Sequence, residues 1–115
     1  MTKMNKELTK VINIIVKNIS PQKIVLFGSR SKNNARKESD FDIFILVNNI
    51  KNTREVEKNL YYQMAKENIG IPVDLIVDSV DKFERLKPNK YLIYNQVEKY
   101  GKTIYEKDTS LQTMA

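Results

Sequence analysis

The chain has 115 residues, 41% hydrophobic and 30% charged, with 20 Lys+Arg against 14 Asp+Glu for a formal charge of +6. That is the balance of one globular domain, with no apolar run near the roughly 20 residues a membrane-crossing helix needs. Zero cysteines and zero histidines exclude disulfides, thiolate metal centres and imidazole chemistry, which leaves carboxylates, hydroxyls, lysines, arginines and bound metal to carry any reaction.

The amino terminus, Met1 to Glu7, lacks the apolar core of a signal peptide, so a cytoplasmic protein is expected. Leu8, Val11, Ile12, Ile15, Val16 and Ile19 recur at three- and four-residue spacing and predict an amphipathic helix over 5–19, with Asn5 as its cap and Ser20-Pro21 as its end. Lys23 to Phe27 is a β-rich run closed by Gly28-Ser29, and the polar stretch Arg30 to Ser39 reads as a short helix and a loop. Phe41 to Val47 is nearly continuously apolar, the pattern of a central strand covered on both faces. Asn48 to Asn52 is a turn. Thr53 opens a helix in which Val56, Leu60, Met64 and Tyr61 share a face, ended by Gly70. A third strand is expected at 72–78, a turn of helix after Ser79, a helix over 88–100 begun by Pro88 and stopped by Gly101, and an edge strand at Thr103 to Tyr105. One domain over 1–107 and a disordered tail over 108–115 complete the reading. The six tyrosines are expected to pack their rings and leave their hydroxyls in water.

Side chains alternate along a strand, so Asp40 and Asp42 project to one side while Phe41 and Ile43 turn to the other. Asp74 joins them if its strand is a neighbour. Three carboxylates close together repel one another unless a cation lies between them, and magnesium, which prefers oxygen ligands, fits that need. The turn at Gly28-Ser29-Arg30 adds the complementary half. Glycine lets the backbone approach a phosphate, free amides at a helix start face it, and the Ser29 hydroxyl and Arg30 guanidinium can donate to its oxygens. A triphosphate on one side and metal on the other is the equipment of nucleotidyl transfer, with Asp74 placed to ease removal of the acceptor's proton. The lysines occur singly or in pairs, which favours a solvated surface over a nucleic-acid groove.

At these residues the chain resembles the minimal nucleotidyltransferases of the DNA polymerase β superfamily. Leu26-Phe27-Gly28-Ser29-Arg30 matches their first strand and turn, Ala35-Arg36 and Ser39-Asp40-Phe41-Asp42 their second motif, and Val73-Asp74-Leu75-Ile76 their third. The likeness spans about residues 20 to 106. It departs at Asn33, where many relatives have glycine, and at Lys37-Glu38, where proline is frequent. The resemblance implies an α/β (α+β) fold, a small mixed β-sheet flanked by helices, two Mg2+ ions, and ATP or another NTP as substrate. It makes Asp40, Asp42 and Asp74 the catalytic metal ligands and Gly28, Ser29 and Arg30 the nucleotide contacts.

Stand-alone members of that superfamily commonly act as antitoxins beside a small helical HEPN-type toxin, and some move AMP from ATP to a tyrosine of the toxin. The expected function is therefore Mg-dependent transfer of AMP to a hydroxyl of such a partner. The alternative is a non-catalytic antitoxin that neutralises its partner by occlusion. The helix at 5–19 or the last helix offers an apolar face to a partner, which leaves self-association open.

Overall fold

A computed structural model describes residues 6–27 and 41–107. The expected cap at Asn5, the helix and loop of 30–39 and the tail 108–115 lie outside the described residues. Within them the elements run α1 (Lys6–Ile19), β1 (Lys23–Phe27), β2 (Phe41–Val47), α2 (Thr53–Lys66), β3 (Val73–Ser79), α3 (Val80–Leu86), α4 (Ile93–Tyr100) and β4 (Lys102–Glu106). None of these helices is long and apolar enough to cross a membrane.

The strands form one sheet in the order β3-β2-β1-β4. β1 runs antiparallel to β2 and to β4, whereas β2 and β3 are parallel, as they must be when a whole helix, α2, carries the chain back to the same end. The sheet is therefore mixed, as expected, and helices cover both of its faces. Ile24 and Leu26 of β1, Ile43 and Ile45 of β2, and Leu75 and Val77 of β3 meet Val11 and Ile15 of α1 and Leu60 and Met64 of α2 on one face. On the other, Val25, Phe44 and Leu46 pack under Phe83 of α3 and Val97 of α4. Phe44 is the hub there, edge to face with Phe27, Phe83 and Tyr94 at centroid distances of 6.2, 5.6 and 5.8 Å. Burial from both sides explains why β2 reads as a continuous apolar run, and Asp42 is its one residue that is not buried.

Two helix boundaries differ from the sequence expectation. α2 begins with the Asn52 side chain accepting the Glu55 N–H at 3.1 Å, but it ends at Lys66 rather than at Gly70. Asn68 takes a left-handed φ of 54°, its N–H returning to the Ala65 carbonyl and that of Ile69 to the Met64 carbonyl. This is the Schellman closure usually given to glycine, and asparagine tolerates it. Gly70 instead donates to Glu7 Oε1 at 3.3 Å, tying the loop to α1.

The last helix starts at Ile93, not at Pro88. Asn89 accepts the Tyr91 N–H on its own side chain at 3.0 Å, a local bond that competes with helix, and residues 87–92 run as turns instead. Asn95 Nδ2 then donates to the Lys87 carbonyl at 2.8 Å and pins that connection against α4. Gly101 ends α4 as expected, for a steric reason. A Cβ there would overlap Val25 Cγ1 and the Val97 carbonyl oxygen, so only glycine lets the chain turn so close to β1. Ser79 caps α3 through the Lys82 N–H at 3.0 Å.

The two sheet edges are treated differently. β3 is covered by α2, where Tyr61 accepts the Leu75 N–H and Glu57 Oε2 accepts the Val77 N–H, each at 2.8 Å. β4 carries an irregularity against β1 between Ile24 and Val25, a bulge of the kind that twists an edge away from further pairing.

Candidate active site

Of the residues singled out in the sequence, Asp42 and Asp74 are described; Gly28, Ser29, Arg30 and Asp40 lie outside the described residues. Asp42 is the direct partner of Asp74 in the parallel register of β2 and β3, strands that lie about 4.8 Å apart. Strand alternation gives both the parity of Phe44 and Ile76, which pack into the cluster under α3 and α4. The two carboxylates therefore share one face of the sheet, one step beyond that cluster toward the strand starts.

Asp42 is also the register partner of Phe27, the last residue of β1. Phe41 donates its N–H to the Pro72 carbonyl at 2.9 Å, which extends the parallel pairing past the start of β3. Phe27 and Phe41, the residues that border segment 28–40, thus sit at the same corner of the sheet as the acids. Among the described residues no group of three or more His, Cys, Asp or Glu is close enough to hold a metal. The third acid of the sequence reading, Asp40, is not among them.

Asp42 is half-buried and Asp74, on the edge strand, is exposed. The Tyr61 hydroxyl, which accepts from Leu75, lies 3.4 Å from Asp74 Oδ1 and donates to it. Burial holds this phenol above its usual 10.0, with the Asp74 and Glu57 charges adding to the effect and the Leu75 hydrogen bond opposing it. It stays a neutral donor at physiological pH.

Two tyrosine hydroxyls expected simply in water bond to the protein as well: Tyr61, and Tyr94, which donates to Asp78 Oδ2 at 2.6 Å. Helix periodicity recognises ring packing but not which strand will end at an edge with free amides to satisfy. The Glu57 and Tyr61 pair, one turn apart on a helix that precedes a strand, is the only trace of this in the sequence.

Asp78, four residues beyond Asp74 on the same face, is already satisfied. It accepts from the Ser79 N–H at 2.8 Å and from Tyr94, and it pairs with Lys82 Nζ at 3.5 Å. Its role is structural. Beside Tyr61 an open cleft of about 230 Å³ is lined by Met64, Ala65, Ile69, Ile71 and Val73, on the α1 and α2 side of the sheet.

A mixed sheet with helices on both faces and paired acids heading a parallel strand pair is the architecture of a nucleotidyltransferase domain. The chain belongs to the polymerase β nucleotidyltransferase family, whose model, described as "Polymerase beta, Nucleotidyltransferase", matches residues 9–110. No curated protein matches it. Among solved structures it is similar to a toxin-antitoxin with AMP-PNP, at 25% identity and a TM-score of 0.64 over 96% of this chain and 82% of that one. It also shares its fold with a mutant of the toxin-antitoxin MntA-HpeT carrying two Asp-to-Glu changes, at 23% identity and a TM-score of 0.63 over 96% of this chain and 82% of that one.

Proposed function

We propose that the protein is an antitoxin that transfers AMP from ATP to a hydroxyl of a partner protein, a tyrosine of a small helical HEPN-type toxin. The observation that carries this reading is the register of Asp42 with Asp74 at the corner where β1 ends. Two carboxylates on adjacent strands are an oxygen-only donor set, and Asp74 has no ion-pair partner among the described residues. That chemistry fits a hard divalent cation.

In this reading Asp40, Asp42 and Asp74 hold two Mg2+ ions, and Gly28, Ser29 and Arg30 hold the triphosphate. Bound magnesium would supply charge stabilisation to the attacking and leaving oxygens. The chain's own residues orient the nucleotide, and Asp74 eases departure of the acceptor's proton. The acceptor oxygen bonds to the α-phosphorus, the bond from that phosphorus to the bridging oxygen breaks, and pyrophosphate leaves. The likeness to a toxin-antitoxin with AMP-PNP supports an adenine nucleotide and a protein partner.

The test is incubation with magnesium, labelled ATP and a co-encoded helical partner. Label should appear on the partner with wild type and not with Asp42→Ala. Absence of label, or equal label with both proteins, overturns the proposal.

A further inference from the structure

The Tyr61 hydroxyl stands between the backbone of β3 and the carboxylate that β3 presents, accepting the Leu75 N–H at 2.8 Å and lying 3.4 Å from Asp74 Oδ1. A phenol has one proton. With a lone pair committed to the Leu75 amide, its O–H turns away from that amide, and Asp74 Oδ1 is the acceptor within reach. The bond is longer than the usual O–H···O of about 2.7–2.8 Å, so it contributes more to orientation than to stability.

Tyr61 is 39% exposed and takes its place from the helix that carries it. Leu60, the residue before it, is fully buried and fixes the rotation of α2. Asp74 is exposed on an edge strand and makes no other side-chain hydrogen bond or ion pair among the described residues. Left alone, such a side chain samples several rotamers. A carboxylate that shares a cation with Asp42 needs one.

We propose that Tyr61 is a positioning residue for Asp74: it ties Oδ1 to α2 and selects one carboxylate rotamer, with Oδ2 left as the oxygen open to the cation shared with Asp42. This rests on the nucleotidyl-transfer reading above. It adds to the site a residue from a helix that none of the three sequence motifs touches.

The experiment is a magnesium titration of the thermal shift given by a nonhydrolysable ATP analogue, for wild type, Tyr61→Phe, Asp74→Asn and the double variant. Tyr61→Phe keeps the ring and removes the hydroxyl. It should need about 10–100 times more magnesium for half the shift, the usual cost of losing a partner that orients a metal ligand. In the label-transfer assay it should lower kcat while KM for ATP changes little. On Asp74→Asn the second change should add nothing.

Glu57→Ala, which removes the neighbouring edge contact without touching Asp74, should lower stability and leave the magnesium midpoint at the wild-type value. A Tyr61→Phe variant that melts lower yet keeps the wild-type midpoint and kcat makes Tyr61 merely structural and overturns the proposal. A wild-type protein with no magnesium-dependent shift overturns the transfer reading itself, and this inference with it.

Discussion

Asp42 and Asp74 are register partners across the parallel pair β2 and β3, on the face shared with Phe44 and Ile76. Two ionised carboxylates on neighbouring strands repel, at this exposure by about 1 kcal/mol or less. Asp74→Asn removes one charge and keeps an acceptor for Tyr61. Its melting temperature without metal should equal that of wild type or exceed it by a few degrees, while the rise on adding magnesium and a nonhydrolysable ATP analogue is lost. Thermal denaturation with and without the ligands reads both effects. A metal-free melting point several degrees below wild type would mean that Asp74 chiefly holds the fold.

The edge of β3 is sealed by α2, and Glu57 supplies the acceptor for the Val77 N–H at 2.8 Å. Glu57→Ala leaves that half-buried amide without its partner, at a cost of about 1–3 kcal/mol. Urea denaturation should register the loss, and amide hydrogen exchange at Val77 should accelerate more than at residues of β2. Unchanged exchange at Val77 would show that the side chain does not guard this edge.

Gly101 closes α4 against β1, where an added methyl group would collide with Val25 Cγ1 and the Val97 carbonyl. One of those neighbours is backbone and cannot swing aside. Gly101→Ala should therefore cost about 1–3 kcal/mol, seen as a fall of roughly 5–15 °C in melting temperature. A variant within a degree or two of wild type would refute the close approach.

Tyr94 is held above the ordinary phenol value of 10.0, by burial first and then by its hydrogen bond to the Asp78 carboxylate. A phenol raised in the folded state favours folding fully below its unfolded value, and that contribution disappears as pH rises through the folded value. Stability should accordingly decline above about pH 10. Tyr94→Phe should be less stable at pH 8, because Asp78 loses its 2.6 Å donor, and should decline less steeply above about pH 10. Urea denaturation across that range is the measurement, and parallel slopes for the two proteins would contradict the assignment.

Much of the frame was legible from local pattern. The apolar run Phe41 to Val47 marked a strand covered on both faces, the stripe through Leu8, Val11, Ile12 and Ile15 marked α1, and Ser79 and Gly101 marked the ends they occupy. Strand alternation also put Asp42 on the face opposite Ile43 before any neighbour was known. The end of α2 and the start of α4 were misread because Asn68 and Asn89 use side-chain and left-handed options that compete with the helix without changing the hydrophobic period.

The residues alone determined the chemistry on offer: oxygen ligands and hydroxyls with no thiol or imidazole, arranged on elements whose periods follow from 3.6 and 2 residues per repeat. Only the tertiary structure decided that β3 lies parallel beside β2 with Asp74 at the level of Asp42, and that Tyr61 of α2 reaches that edge. Strand order and register come from long-range burial and from where a crossover helix returns the chain. A local sequence window contains neither.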